Sequence, residues 1–322
     1  MRCCVATVWP RSRASMLSVV VNFYNNRREA MNTLYSLTRA YQRDAGAIEF
    51  EVIALDHGSS QPLEEADVRA FGPEFQYRFI ETKSVSPAAA INAACREARG
   101  DHLLVIIDGA HILSPGIYAL AQRAFVQFAA PFVASVSFHL GPKQQNESVV
   151  EGYNQQVEDG LLARSAWRDN GYRLYTIAGA FADPGMGWFG CAFEAGCFGI
   201  SKDEYLALGG FDERFVARGG GLVALDFFQR ALAREHGDYV MLLGEGSFHQ
   251  FHGGVASNAT KAAHPWKEFH DEYVRIRGKP FARVPRRPFY FGTLPNEALA
   301  ATRISAEHGL ALWQKAVAAG EA

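Results

Sequence analysis

The chain has 322 residues, of which 48% are hydrophobic, and its 32 basic and 34 acidic residues give a formal net charge of −2. This balance excludes a general electrostatic attraction to nucleic acid or to an anionic membrane, so any anion recognition has to be local. Five cysteines, an odd number without the spacing of a zinc site, are typical of free thiols in a reducing compartment. No stretch approaches the roughly 18 apolar residues of a membrane helix. We therefore predict a globular, cytoplasmic protein with a large core.

The sequence divides into three predicted regions. Residues 1–15 have no helical or strand period that continues into the first strand, and their apolar run ends at Pro10, too early for a signal peptide. They are predicted as a loose N-terminal extension. The main domain is expected over residues 16–254, and a C-terminal loop and helical extension over residues 255–322.

Strands and helices alternate in the first half of the chain. The predicted elements, in order, are a strand at 17–23, a helix at 27–43, strands at 50–56 and 75–81, a helix at 87–100 and a strand at 103–107. This alternation predicts an α/β fold with a mostly parallel central sheet and helices on both faces. Because right-handed crossovers place the loops after parallel strands at one edge, Asp56 and Asp108 are expected to share that edge.

The second half of the chain is less regular. Its predicted elements are a helix at 117–129, a strand at 131–140, a polar surface excursion at 141–190, helices at 202–208 and 223–235, and a strand at 238–243. Residues 255–264 are small and polar, which predicts a mobile loop. Further helices are predicted at 265–277 and from about 295 onward.

The strand at 103–107 runs directly into Asp108, and His111 lies three residues later. Parallel sheets bind ligands just beyond the carboxyl ends of their strands. An oxygen from Asp108 and a nitrogen from His111 at that place are suitable ligands for one cation. The alternative is that Asp108 only caps the turn and His111 is solvated, and this motif alone does not decide between the two.

Six short motifs succeed one another in order. They are Tyr24-Asn25, Asp56-His57-Gly58-Ser59, Ala90-Ile91-Asn92, Asp108-Gly109-Ala110, Gly210-Phe211-Asp212-Glu213, and a helix that carries Asp226 and Arg230, followed by a late histidine, His249 or His252. In order and spacing they resemble the family 2 glycosyltransferases of the GT-A fold, over about residues 17–254. No single motif is decisive, but six in the right order are a specific pattern.

The resemblance implies an inverting glycosyltransferase. Its donor would be a UDP- or dTDP-linked sugar, and its acceptor a hydroxyl of a glycan or a lipid-linked precursor in surface polysaccharide or glycoconjugate synthesis. A departing diphosphate needs its charge neutralised, normally by Mn²⁺ or Mg²⁺, and an acceptor hydroxyl needs a carboxylate base. We also predict a homodimer that lies in the cytoplasm or at the inner membrane face. No nucleic-acid partner is expected.

The resemblance also implies roles for individual residues. Donor-binding residues are Asn25, Asp56, Asn92 and Asp108; acceptor-binding residues are Trp188, Phe189 and Asp212; metal ligands are Asp108, His111 and His252; the catalytic base is Asp226, with Glu194 in reserve. Because imidazole nitrogen suits the softer ion, we predict a preference for Mn²⁺ over Mg²⁺.

Three departures from the family pattern replace charged residues by neutral ones. Ile91 stands where an arginine is common, Ala110 replaces the second acidic residue of the metal motif, and Val223-Ala224 replaces the acidic pair that often contains the base. These departures leave an alternative open, a non-catalytic GT-A domain that binds a nucleotide sugar or a partner protein. A dinucleotide-dependent enzyme is disfavoured, since no strand is followed by G-x-G-x-x-G.

Several of the predicted roles have a structural alternative. Asp226 and Arg230 are four residues apart, so they alternatively form a helical ion pair. Asp56 also suits an Asx turn before Gly58, which is compatible with its predicted donor role. Trp188 and Phe189 alternatively pack in the core, as aromatic residues beside glycines often do.

Overall fold

The computed structural model describes residues 15–182, 187–190, 192–254, 258–260 and 263–319. The predicted N-terminal extension, except for Ser15, lies outside the described residues. The strands are β1 (Leu17–Phe23), β2 (Phe50–His57), β3 (Phe75–Ile80), β4 (His102–Ile106), β5 (His111–Leu113), β6 (Pro131–His139), β7 (Ala180–Phe181), β8 (Phe198–Ser201), β9 (Asp238–His249) and β10 (Phe289–Gly292). The helices are α1 (Arg27–Ser36), α2 (Glu65–Arg69), α3 (Ala88–Glu97), α4 (Ile117–Gln127), α5 (Gln145–Ser148), α6 (Gln155–Ser165), α7 (Lys202–Ala207), α8 (Val223–Leu232), α9 (Trp266–Arg277) and α10 (Leu299–Ala319).

The strands form one mixed sheet in the order β10-β9-β6-β8-β4-β1-β2-β3, with β5 paired to β9 and β7 paired to β6. Strands β4, β1, β2 and β3 are mutually parallel, and so are β6, β9 and β10. Strand β8 is antiparallel to both of its neighbours and joins the two groups. The prediction of a mostly parallel α/β sheet is confirmed.

Helices cover both faces of the sheet, as predicted. Every residue of β1 is buried, which explains why its sequence is mostly apolar, with only Ser18 and Asn22 polar. Successive side chains point to opposite faces, so Val20 packs in one core layer and Val19 and Val21 pack in the other. The first layer includes buried residues of α3 and α8, and the second includes buried residues of α1 and α4.

Helix α1 ends at Ser36, seven residues before the predicted end. The hydroxyl groups of Ser36 and Thr38 donate to the carbonyl oxygens of Thr33 and Tyr35 at 2.7 and 2.8 Å. Serine and threonine compete in this way with the helical backbone pattern, so residues 37–43 form turns instead.

Strand β9 runs to His249, six residues beyond the predicted strand. A β-bulge lets it continue, because the register against β6 shifts between Ala134 and Val136, opposite Gly244, whose φ is 83°. Strand β10 comes from the predicted C-terminal extension, which thus adds a strand to the sheet as well as helices. No helix in the described ranges is long and apolar enough to cross a bilayer.

Candidate metal and donor site

The turn after β4 carries Asp108 to the end of β9. Gly109 makes this turn possible, since a Cβ at this position would come within 2.2 Å of the Phe23 ring. The chain then enters β5, which pairs with β9 in antiparallel register so that His111 lies opposite His249. This backbone pairing brings together residues that are about 140 positions apart in the sequence.

Three side chains converge at this edge of the sheet. The Oδ2 atom of Asp108 lies 3.3 Å from Nε2 of His249 and 3.2 Å from Nε2 of His252. The two Nε2 atoms are 3.2 Å apart, so the three potential ligand atoms form a nearly equilateral triangle. Among the described residues, these three are the one group of histidine, cysteine or acidic residues that is arranged to hold a metal ion.

The size of this triangle fits a divalent transition metal. Ligand atoms about 2.0–2.2 Å from a common ion, in octahedral or tetrahedral geometry, are separated by about 2.8–3.6 Å. Two imidazoles and one carboxylate suit Mn²⁺ or another first-row metal better than Mg²⁺, which prefers oxygen ligands. About a third of the Asp108 side chain remains exposed, which leaves a solvent-facing side for further ligands.

The other carboxylate oxygen of Asp108 is held by the protein. Its Oδ1 accepts hydrogen bonds from the backbone N–H of Ala110 at 3.0 Å and from Asn26 Nδ2 at 3.3 Å. These contacts fix the orientation of the carboxylate and leave Oδ2 directed at the histidines. Ala110, which cannot supply a side-chain ligand, therefore acts on Asp108 through its backbone.

An imidazole must be neutral to coordinate a metal, so the direction of the pKa shift favours metal binding at His249 and opposes it at His252. Burial lowers the pKa of His249 to about 4. Burial also acts to lower the pKa of His252, but the nearby Asp108 carboxylate outweighs it and raises that pKa above its ordinary value. Burial acts to raise the pKa of Asp108, but His252 and His249 outweigh it and hold that pKa well below the usual range.

His111 lies beside the triangle and is not one of its three members. Its Nδ1 is 3.0 Å from the backbone oxygen of Asp108, and its ring meets the ring of His249 edge-on with centroids 5.0 Å apart. His139 packs on the other side of His249 at 5.3 Å. Of the predicted ligands, Asp108 and His252 are brought together, and His249 occupies the place predicted for His111.

The segment between the two histidines of the triangle is held by a buried carboxylate. Glu158 is fully buried, and its Oε2 accepts the backbone N–H of Phe251 at 2.8 Å. Arg28 forms an ion pair with Glu158 at 3.1 Å and donates to the Phe251 carbonyl oxygen at 3.0 Å. Both backbone polar groups of Phe251 are thus bound, which limits how far His252 can move from His249.

The predicted donor residues Asn25 and Asp56 lie at the same edge of the sheet. Asn25, at a φ of 54°, accepts hydrogen bonds at Oδ1 from the N–H groups of Ser60 and Gln61, and so joins the loop after β1 to the loop after β2. Asp56 is buried and accepts the N–H groups of Ser59 at 3.3 Å and Leu63 at 2.9 Å. The Asp56 carboxylate therefore caps its own turn, as expected from the sequence.

Asp56→Ala is expected to lower the free energy of unfolding by about 1–3 kcal/mol, because two buried N–H groups lose their acceptor. Urea unfolding measures this loss, with Asp67→Ala on the exposed face of α2 as a control. The predicted donor role adds a second expectation, weaker binding of UDP by calorimetry. Unchanged affinity for both UDP and dTDP would remove Asp56 from the donor site.

Asn92 and Asp212 have their polar atoms engaged within the protein. Asn92 is buried; its Nδ2 donates to the Phe211 carbonyl oxygen at 2.8 Å, and its Oδ1 accepts from the Phe211 N–H at 2.9 Å. Asp212 forms ion pairs with Arg214 at 2.6 Å and Arg277 at 2.9 Å. The hydrogen bonds from Arg214 hold the pKa of Asp212 well below its usual range. The two hydrogen bonds between Asn92 and Phe211 anchor α3 to the turn that begins at Gly210.

Asp226, the predicted base, has both carboxylate oxygens in ion pairs. Arg277 donates from Nε to Oδ1 and from Nη2 to Oδ2, both at 2.6 Å, and Arg230 donates to Oδ2 at 2.8 Å. Asp226 is 2% exposed. Both oxygens of this buried carboxylate are engaged by charge-assisted hydrogen bonds from arginines, so the geometry favours the ion-pair alternative for Asp226.

The aromatic residues predicted to bind the acceptor lie in two different environments. Trp188 is fully buried, and its Nε1 donates to the carbonyl oxygens of Leu242 and Glu245, so it packs in the core, in agreement with the structural alternative. Phe189 is half-buried, contacts Tyr290 with ring centroids 5.3 Å apart, and donates its N–H to Ser305 of α10. These contacts direct neither ring toward the triangle of Asp108, His249 and His252.

Sequence patterns give little indication of two residues that shape the site. Asn26 looks like an ordinary part of the turn after β1, yet it orients Asp108. Gln145 looks like part of a polar surface excursion, yet it is fully buried and touches His249. The choice of His249 as a ligand depends on the pairing of β5 with β9, which a single sequence does not show.

Three comparisons place this geometry among known proteins. Residues 18–157 match a protein-family model described as glycosyl transferase family 2. The crystal structure of S. aureus TarS 1-349 is similar with a TM-score of 0.50 and 14% identity, covering 81% of this chain and 64% of that one. The same fragment in complex with UDP-GlcNAc gives a TM-score of 0.50 and 14% identity, covering 91% of this chain and 71% of that one.

No curated protein sequence matches the chain. The chain spans just under two thirds of the first TarS structure, and identities of 14% show the fold alone. The family match begins at β1 and ends in α6, and it includes Asp108 but neither histidine of the triangle. The predicted resemblance is confirmed to this extent: residues 18–157 match the family 2 glycosyltransferase model, and the chain has the GT-A fold.

Proposed function

We propose that the chain is a metal-dependent inverting glycosyltransferase that uses a UDP- or dTDP-linked sugar. The observation that carries this proposal is the triangle of Asp108 Oδ2, His249 Nε2 and His252 Nε2 at the carboxyl edge of the parallel strands. Nucleotides bind at this edge in open α/β sheets. These three side chains would hold a metal ion, Mn²⁺ in the first instance, which would supply positive charge to neutralise the leaving diphosphate.

The loops after β1 and β2 are suited to hold the nucleoside. Tyr24 is 47% exposed at the end of β1 and lies against His57, with ring centroids 5.6 Å apart. Its exposed face offers a stacking surface for a planar base. Asn25 and Asp56 hold the two loops in place, so the proposed donor pocket is already shaped by hydrogen bonds within the protein.

In the proposed reaction, an acceptor hydroxyl attacks the anomeric carbon while the bond to the nucleotide diphosphate breaks, and a carboxylate takes the hydroxyl proton. Asp226 and Glu194 are the two candidate bases. Asp226 is bound by two arginines, and we assign the role to Glu194 because of its place in the chain. Gly196, two residues further on, packs against the site, since a Cβ there would lie 2.9 Å from the His111 ring. The acceptor is a hydroxyl of a glycan or a lipid-linked precursor.

The test is turnover of a panel of nucleotide sugars with and without metal. Release of UDP or dTDP is expected to stop in EDTA and to return with added Mn²⁺, more fully than with Mg²⁺, because two of three ligands are imidazoles. Undiminished turnover in EDTA would contradict the metal role and would point to side-chain cations such as the arginines at 283–287. Nucleotide-sugar binding without any turnover would support the alternative, a non-catalytic GT-A domain.

A further inference from the structure

A buried amide lies directly behind the histidine ligands. Gln145, the first residue of α5, is fully buried. Its Oε1 is 2.8 Å from Nδ1 of His249 and 2.9 Å from Nδ2 of Asn258. Its Nε2 lies 2.9 Å from the backbone carbonyl oxygen of His249. Gln145 therefore contacts both the ring and the backbone of one ligand.

The hydrogen-bond network permits one orientation of this amide. A carbonyl oxygen accepts only, so the atom of Gln145 that faces the His249 backbone has to be the NH₂ group. The Gln145 oxygen then faces the His249 ring, and Nδ1 of that ring has to carry the proton. In the neutral imidazole this leaves Nε2 unprotonated. Nε2 is the atom that points to Asp108 and His252, so Gln145 selects the tautomer that is able to bind a metal.

A second side-chain amide, that of Asn258, links the segment that carries His252 to Gln145. Oδ1 of Asn258 accepts the backbone N–H groups of His252, Gly253 and Gly254 at 3.2, 2.8 and 2.9 Å. These three donors fix Oδ1, so the Nδ2 group of Asn258 has to point at Gln145, as the 2.9 Å contact shows. The segment that carries His252 is thereby tied to the residue that orients His249.

We propose that Gln145 and Asn258 form an amide pair that positions both histidine ligands for metal binding. This inference rests on the proposed function of the site. Ligand histidines are commonly oriented by a hydrogen bond to the far ring nitrogen, and loss of such a partner typically weakens metal affinity by about 10–100-fold. Here Gln145 Oε1 accepts hydrogen bonds from the His249 ring and from Asn258. Asn258 in turn binds the backbone of the segment that carries His252.

The first test is a calorimetric titration of the full chain with Mn²⁺ alone. Gln145→Met keeps the length of the side chain and removes its hydrogen bonds, and we expect the Kd for Mn²⁺ to rise about 10–100-fold. Gln229→Met is the matched control. Gln229 is also buried, donates to the Phe193 carbonyl oxygen and accepts the Val284 N–H, and it has no contact with the triangle. Its Kd for Mn²⁺ is expected to equal that of the wild type, while both variants lose thermal stability.

Equal Mn²⁺ affinity in Gln145→Met and wild type, with loss of stability in both variants, would overturn the proposal and leave Gln145 a purely structural residue. If Gln145→Met does not fold, Asn258→Ala takes its place, since Asn258 is only partly buried and belongs to a loop. The same 10–100-fold rise in Kd is expected for Asn258→Ala. An unchanged Kd for Mn²⁺ in Asn258→Ala would overturn the proposal that the amide pair positions the histidines.

A second test does not depend on metal binding. In metal-free wild-type protein, ¹⁵N chemical shifts of the histidine rings report the tautomer of each imidazole. We expect His249 to carry its proton on Nδ1, and a proton on Nε2 would overturn the proposal. Failure of the wild type to bind Mn²⁺ would instead contradict the proposed function, so the two failures are distinguishable.

Discussion

Asp108→Asn is expected to abolish Mn²⁺ binding and to lower the rate of sugar transfer by about 10³-fold, the usual cost of removing a group that stabilises developing charge. The asparagine oxygen can still accept the N–H of Ala110 and the amide of Asn26 in place of Oδ1. Its NH₂ group then occupies the position of Oδ2 and donates a hydrogen bond to a histidine Nε2. That Nε2 lone pair is then no longer available to bind the metal. Calorimetry with Mn²⁺ and a UDP-release assay measure the two effects.

The control is Asp101→Asn, at an exposed position immediately before the first residue of β4. It is expected to change neither Mn²⁺ binding nor the rate of sugar transfer. Thermal unfolding in the absence of metal is expected to show a modest loss of stability for Asp108→Asn, because Oδ1 keeps its partners but the carboxylate charge that raises the pKa of His252 is lost. Wild-type transfer by Asp108→Asn would show that the triangle has no part in the reaction.

Asp226→Asn is expected to lower the free energy of unfolding by about 3 kcal/mol. Removing one partner of a buried ion pair leaves the other charge poorly compensated, which typically costs about 3–5 kcal/mol. We take the lower end, because Arg277 and Arg230 keep 20% and 26% of their side-chain surfaces exposed and Asp212 still pairs with Arg277. Urea unfolding followed by circular dichroism measures the change.

The control for Asp226 is Asp271→Asn on α9, where an exposed pair with Lys267 has the same four-residue spacing. Exposed pairs contribute little, so stability is expected to stay near that of the wild type. Transfer by folded Asp226→Asn is expected to persist at low temperature. Full stability with complete loss of transfer would reverse the assignment and make Asp226 the base, as the family pattern implies.

The sheet is largely predictable because its strands are buried on both faces. The runs at 17–23, 50–56 and 103–107 are mostly apolar, and each forms a parallel strand with errors of one residue at most. Strand β8 has four residues, one of them glycine, and lies in an aromatic, glycine-rich segment, so no period of two is visible there. Strand β10 is equally short and is stabilised by β9 rather than by its own sequence.

The candidate site is predictable only where a residue comes directly after a strand. Asp108 is correctly expected at the sheet edge because it lies at the end of β4, and His252 is expected there because it comes after a late strand. The exchange of His111 for His249 is not predictable, since it depends on which ring faces Asp108 across β5 and β9. The hydrogen-bond partners of Asp226 are also hidden in the sequence, because Arg277 comes from a helix about 50 residues further along the chain.

The two halves of the ligand triangle are separated by 141 positions, from Asp108 to His249. Translation proceeds from the N-terminus at about 5–20 residues per second, so about 7–28 seconds pass between the synthesis of these two residues. During that interval the early strands β1 to β4 are already available to pair, but β9, which carries His249, has not been made. On the ribosome, the triangle of candidate ligands is therefore complete only after β9 has been made and the residues after it have emerged, so the proposed metal binding requires completion of the sheet.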